Sequence, residues 1–416
     1  MPEVFEGNLT WLKFPLALAT SLLSVAAVFW LRGRPYEEAI ERAAVVGATI
    51  LKIIGCVLIY TLAPLDSLGS DARNHYLPQA LRVLAGEIPH RDFTTSYGLL
   101  FPYLLAPGLL VWRSVGAIVL TMVLVESAML LVYARRCRRA GFSGCWRVLF
   151  LYVFSPISWY WVAGTGTNGP IIAFATMLGL TLAESRRDVA SGFAAALGLL
   201  LSKLTMILSW PALLLFRRSG ILSRGTPILL IVAGLAALST VDVDVGARAM
   251  DYQFRSTSGN LWFLLSMLMD FDVGSVAVKQ LSMLSLLVVL GPLCLLFWAG
   301  RVRGGLEGFD SAAAVLSATH LIFMILSYKT YPWYAAAFLP FVLHTLLADG
   351  ELCLRRLIPL IYLGAITNLE PRYWMLVRGK ETDLLSSTAG PLFALDVVML
   401  CAFAYWAVFC IRRSRP

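Results

Sequence analysis

Charge is what this 416-residue chain has least of. Asp, Glu, Lys and Arg make up 14% of it, against roughly 25% in an ordinary soluble domain. Hydrophobic residues make up 59%, and the two figures together exclude a water-soluble globule. A heptad and a Gly-x-y period are both missing, which excludes a coiled coil and a collagen. Apolar runs recur from end to end, which excludes disorder. The seven Cys contain no Cys-x-x-Cys pair and supply neither zinc-ligand spacing nor a disulfide framework. The four His include no two at metal-ligand spacing on one helix.

What the chain has is long hydrophobic runs. They predict an all-α fold, a polytopic transmembrane bundle forming a single integral membrane domain over residues 1–416. With about 20 residues needed per crossing, hydropathy gives about 13 spans. They fall near 12–31, 44–63, 115–134, 147–163, 169–184, 189–202, 204–216, 227–241, 276–299, 311–327, 333–348, 357–370 and 391–411. Arg32 and Arg34 follow the first run with no small-residue cleavage site, so it reads as a retained helix and not a removed signal peptide. The stretch from Tyr97 to Trp112 carries Pro102 and Pro107 and reads as a broken helix lying in or dipping into the interface.

The net charge of +9 reflects topology here and not nucleic-acid binding. If the spans alternate, one face receives Arg32 and Arg34, the Arg135–Arg139 cluster, Arg186 and Arg187, Arg217 and Arg218, Arg301 and Arg303, Arg355 and Arg356, and Arg412 and Arg413. That face is then cytoplasmic. Cys137, Cys145 and Cys353 fall on it too. The exported face holds segments 64–114, 242–275 and 371–390 and the Gly164–Asn168 turn. Most of the acidic residues lie there, so chemistry is expected on that side. Arg outnumbers Lys, a composition that points to a GC-rich genome and the cell membrane of a prokaryote.

Within the first exported loop, Asp71 precedes an amphipathic stretch, Leu77 to Ala85, with Pro78 in its first turn and Gly86 as its cap. Asp71 is thus expected in a loop just before an interfacial helix, where a carboxylate can act as a base. The plainer reading is a solvated pair with Arg73. Beyond Gly86 come Pro89-His90-Arg91-Asp92-Phe93 and Thr94-Thr95-Ser96-Tyr97-Gly98.

Asp71 with Tyr76, the helix ending at Gly86, the Pro89–Phe93 run and the segment after Tyr97 resemble the first exported loop of the GT-C superfamily. These are polytopic glycosyltransferases that use polyprenyl-phosphate or dolichyl-phosphate sugars, and the protein mannosyltransferase, aminoarabinose transferase and mycobacterial mannosyltransferase branches look most similar. Three further places fit the resemblance. Ser155-Pro156 and Gly164-Thr165-Gly166-Thr167-Asn168 resemble a second exported turn, with Asn168 where an acid is often found. Lys203 resembles a Lys between two short spans. Ser327-Tyr328-Lys329-Thr330-Tyr331-Pro332-Trp333-Tyr334 resembles the basic and aromatic start of a late span, and Arg372-Tyr373 is a fainter echo of an Arg-Tyr pair.

The resemblance implies an inverting glycosyltransferase moving a sugar, a mannose or another hexose or pentose, from a polyprenyl-phosphate donor to a lipid, glycan or protein acceptor. Asp71 would be the general base. Lys203, Lys329 and Arg372 would face the phosphate or the sugar, and Tyr373, His75, Tyr76, Arg91, Asp92, Asn168 and Asn260 would line the substrate. Membrane lipid is the other expected partner. No cofactor is expected: Asp242-Val243-Asp244 and Asp270-Phe271-Asp272 spell a metal-binding pattern that also arises by chance in polar loops, and a cation at the phosphate replaces a metal. For Lys203 and Lys329, snorkelling to the interface is the alternative. For 251–262, sugar recognition and a headgroup-layer helix stand side by side. His90 could contact a sugar or phosphate, whereas His320 and His344 read as buried hydrogen-bonding groups. Lys52 and Glu126, near mid-span, either pair with each other or line a polar cavity. From other classes, a flippase or transporter of lipid-linked sugar and a glycan ligase or polymerase remain open, although no internal repeat favours a transporter.

Overall fold

The computed structural model describes residues 2–62, 71–239, 260–269, 276–302, 308–327, 330–366 and 389–414. Among these residues the fold is all-α, with one isolated bridge, Pro89 to Phe93, outside the helices. Five helices are long and apolar enough to cross a membrane: Glu37–Leu62, Val115–Ala140, Ile221–Leu238, Val276–Phe297 and Phe309–Leu326. A sixth arises if Ile157–Gly164 and Gly169–Glu184, bent by 111° at the turn between them, count as one. Shorter apolar helices, among them Asp188–Leu201 and Leu204–Leu215, account for other expected crossings.

The central helix shows how local sequence sets these boundaries. Ser114 caps Val115–Ala140 by accepting a 3.0 Å bond from the Gly116 N–H. Arg138 and Arg139 stand in the last turn, and Gly141 ends the helix at φ 67°, a left-handed conformation that costs Gly little. This helix is buried on most faces, whereas Glu37–Leu62 turns Ile50, Leu51, Leu58 and Leu62 outward. An outer surface so apolar is stable against lipid tails and not against water.

Two local expectations are corrected. Asp71 is not in a loop: it is already helical and leads into a π-helical turn, Ala72–Tyr76, that runs directly into the Leu77–Leu84 helix. The widened turn keeps Ala72 and Tyr76 buried while Arg73, Asn74 and His75 stay outside. The Tyr97–Trp112 stretch is not broken either. Pro102 sits in the first turn of Phe101–Val111, where its missing N–H costs nothing, and Pro107 is absorbed within the helix. At about 1.5 Å per residue its 11 residues fall well short of a crossing of about 30 Å.

Lys52 and Glu126 pair with each other. The Lys52 ammonium donates to the Glu126 carboxylate at 2.6 Å and to the Ser158 hydroxyl at 2.6 Å, and that hydroxyl donates to the second carboxylate oxygen at 2.8 Å. Both charged side chains are fully buried. This closed triangle ties Glu37–Leu62, Val115–Ala140 and the 157–164 turn together. At the helix ends carrying the arginine clusters, Arg147 pairs with Glu37 and Glu41, Arg136 with Glu184, Arg224 with Asp188, and Arg356 with Asp349 and Glu351. Nearby, His344 bridges the Tyr133 hydroxyl at 2.7 Å and the Asp310 carboxylate at 2.9 Å.

Removing one member of a buried pair leaves the other charge uncompensated. Glu126→Ala is expected to destabilise the protein by about 3–5 kcal/mol, and Lys52→Met with Glu126→Leu to recover most of that loss. Thermal unfolding in detergent checks both.

Candidate active site at the helix break around Lys203

The chain leaves the Asp188–Leu201 helix at Ser202, turns at Lys203 with φ −138° and ψ 164°, and resumes as a 3-10 helix over Leu204–Ser209. A helix that stops inside an apolar bundle leaves carbonyls without partners. The first loop supplies them: the Gly98 N–H donates to the Ser202 carbonyl at 2.8 Å and the Leu100 N–H to the Leu200 carbonyl at 2.9 Å. Only glycine permits this approach, because a Cβ at position 98 would lie 2.3 Å from the carbonyl oxygens of Leu199 and Leu200.

The same docking fixes Tyr97. Its N–H donates to the Thr95 hydroxyl at 3.1 Å, Thr95 donates to the Gln79 side chain at 2.8 Å, and the His90 ring donates through Nε2 to the Tyr97 carbonyl at 3.1 Å. His90 takes a left-handed φ of 65° to do so. It is buried, and positions Tyr97 through this bond. Tyr97 packs in turn edge-on against Tyr76, with ring centres 4.9 Å apart, and beside Phe101.

The Lys203 ammonium sits over the Tyr97 ring at 4.8 Å and over the Tyr334 ring at 5.2 Å. Its residue is 9% exposed. Among the described residues no carboxylate lies within ion-pair distance of it, but it feels the charge of Asp71. Asp71, half-buried, makes neither a hydrogen bond nor an ion pair with the described residues, and its charge reaches Tyr76 and Tyr97 as well. Burial first, and the nearby carboxylate of Asp71 as well, push the hydroxyls of Tyr76 and Tyr97 well above the ordinary tyrosine range.

Beyond Lys203 opens a narrow cleft. The turn before Gly169–Glu184 forms one wall. Gly166 takes φ 70° there, and its Cα faces Val119 and Ala72, which locks the turn onto the residue following Asp71. Asn168 stands at the cleft, 3% exposed, with its Nδ2 unbonded. The lining also includes Phe323, Met324 and Phe338, with His320 among them. Tyr334 completes the rim, held by a run of rings in which Tyr331 stacks on Trp333 and Trp333 on Trp161, each at 4.2 Å.

Of the sequence-predicted residues, Asp71, Tyr76, Asn168 and Lys203 thus gather in one region. Arg91 and Asp92 are exposed and bond each other at 2.8 and 2.9 Å, and Asp92 also caps the Ile88 N–H. The Arg91 hydrogen bonds hold the Asp92 carboxyl down at about 2. His75 is exposed on the π-helical turn. Asn260 is buried at the start of Leu261–Met269. Lys329, Arg372, Tyr373 and both Asp-x-Asp pairs lie outside the described residues. Among the described residues no group of three His, Cys, Asp or Glu is arranged to hold a metal. Sequence reasoning missed the parts played by Tyr97, Gly98 and His320, none of which carries a periodic signal. No family model matches the chain, and no curated protein matches it.

Two outcomes follow from this geometry. Gly98→Ala is expected to force the loop off the helix end and cost about 1–3 kcal/mol in thermal unfolding. Because Tyr76 and Tyr97 ionise with more difficulty folded than unfolded, their contribution is fully present below the unfolded tyrosine value of about 10 and is lost as pH rises beyond it. Phenolate absorbance followed through an alkaline titration is expected to show two tyrosines fewer in Tyr76→Phe/Tyr97→Phe only when unfolding sets in, and not before.

Proposed function

We propose that this chain is an inverting glycosyltransferase of a prokaryotic cell membrane, a multi-pass protein that works on the exported face with a polyprenyl-phosphate sugar as donor. One observation carries the reading: a buried ammonium, Lys203, is walled by two tyrosine rings and has within its field a carboxylate, Asp71, that is unpaired among the described residues. A buried cation without a counter-ion is costly, and an anion that visits the site repays that cost. A phosphate linked to a lipid meets the need, since its charge goes to Lys203 while its chain stays among apolar side chains.

The chemistry follows from the two charges. The acceptor hydroxyl attacks the anomeric carbon and gives its proton to Asp71 as the new glycosidic bond forms. The bond from the anomeric carbon to the phosphate oxygen breaks, and its electron pair stays on that oxygen. Lys203 stabilises the charge that gathers there, in a site where the low dielectric strengthens the attraction. Attack from the side opposite the departing phosphate inverts the anomeric centre. Among the described residues Asp71 has no partner to release before it can accept a proton. The tyrosines beside it, held protonated by burial, keep their hydroxyls as hydrogen-bond donors.

The test gives the purified protein a polyprenyl-phosphate hexose and measures donor consumption. Asp71→Asn is expected to lower turnover at least a hundredfold with little change in donor binding, and Lys203→Met to weaken both. Turnover at the wild-type rate in Asp71→Asn would sink the mechanism. Absence of turnover, with lipid-linked sugar still crossing between leaflets of a vesicle, would point to a flippase instead.

A further inference from the structure

His320 lies in the Phe309–Leu326 helix, 3% exposed, and lines the same cleft as Asn168 and Lys203. Its Nδ1 is 3.0 Å from the Leu316 carbonyl of its own helix. A carbonyl only accepts, so Nδ1 carries the proton and the lone pair of the neutral ring is at Nε2. That nitrogen is buried and bonds nothing among the described residues. Its neighbours on the wall, Leu208, Phe323, Met324 and Phe338, offer no donor of their own side chains. At Asn168, which also lines the cleft, the situation is reversed, because its Nδ2 is a buried donor with no acceptor among the described residues.

A buried acceptor, a buried donor and a cation lining one cleft describe a ligand that is anionic and also carries hydroxyl groups. A phosphate with an alkyl chain satisfies Lys203 and leaves both orphans unpaired, at a cost for each. A sugar hydroxyl satisfies them at once, donating its proton to His320 and accepting from Asn168. We propose that His320 reads a hydroxyl of the donor sugar and so sets which sugar the cleft accepts. This rests on the glycosyltransferase reading and gives it a specificity-determining residue. A site that bonds a substrate hydroxyl rejects the analogue lacking it far more strongly than an apolar pocket rejects a misfit.

Binding tests this without needing turnover. Polyprenyl-phosphate mannose and its monodeoxy analogues are titrated against the full chain in detergent, in wild type, His320→Phe and His320→Gln. In wild type one monodeoxy analogue is expected to bind about tenfold more weakly than the parent, the usual worth of a buried hydrogen bond. In His320→Phe that difference is expected to vanish, and in His320→Gln, whose carbonyl oxygen accepts, to return in part. Equal weakening of every ligand in His320→Phe, or an unchanged preference, overturns the role of His320 and leaves the donor class standing. Failure of wild type to bind any of these lipids overturns both. Should His320→Phe not fold, the same comparison in His320→Gln decides: a reduced preference against the deoxy analogue with the parent lipid still bound supports the proposal, and an undiminished preference or equal weakening of every ligand overturns it.

Discussion

Backbone that leaves the helical path inside an apolar bundle has to find hydrogen-bond partners from somewhere other than water. The cleft depends on how this chain meets that requirement after Leu201. The carbonyls of Leu200 and Ser202 accept from Leu100 and Gly98, so a loop more than a hundred residues earlier is drawn onto the helix break. Tyr97 arrives with that loop and forms one wall for the Lys203 ammonium. The break, the loop and the aromatic setting of the cation are one arrangement, and each part loses its reason without the others.

Ionisable groups in this fold fall into three environments with different physics. At the helix ends, arginines pair with acids in partly exposed contacts such as Arg136 with Glu184, where solvent screening keeps each pair modest. In the middle, Lys52 and Glu126 are fully buried but close a triangle with Ser158 that uses both carboxylate oxygens. Around the cleft, Lys203 and Asp71 are close enough to interact and yet form no ion pair among the described residues. This third environment sets a buried cation beside unbonded polar groups that line one cleft, which is why it is the candidate for chemistry.

Several of these features were legible in the chain. The low charge and the long apolar runs give the helical fold, Pro78 and Gly86 bracket the short helix after Asp71, and two lone charges at Lys52 and Glu126 in apolar stretches suggest each other as partners. Hydropathy expects about 13 crossings at roughly 20 residues each, whereas among the described residues five helices are individually long and apolar enough. Short helices joined at breaks are read by a sliding window as spans, because hydropathy averages over the break. Asp71 was expected in a loop for a related reason, since a π-helical turn has no composition of its own.

Composition, hydropathy and local capping determined on their own that this chain is helical and apolar, and where many helices begin and end, because those properties depend on residues within a few positions of one another. Tertiary structure alone decided which polar side chains face each other. Gly98 is an ordinary turn residue until Leu199 and Leu200 lie against it, and His320 is one more buried histidine until Asn168 and Lys203 line the same cleft. Contacts between residues so far apart in the chain leave no period to read. They exist only once the helices have packed.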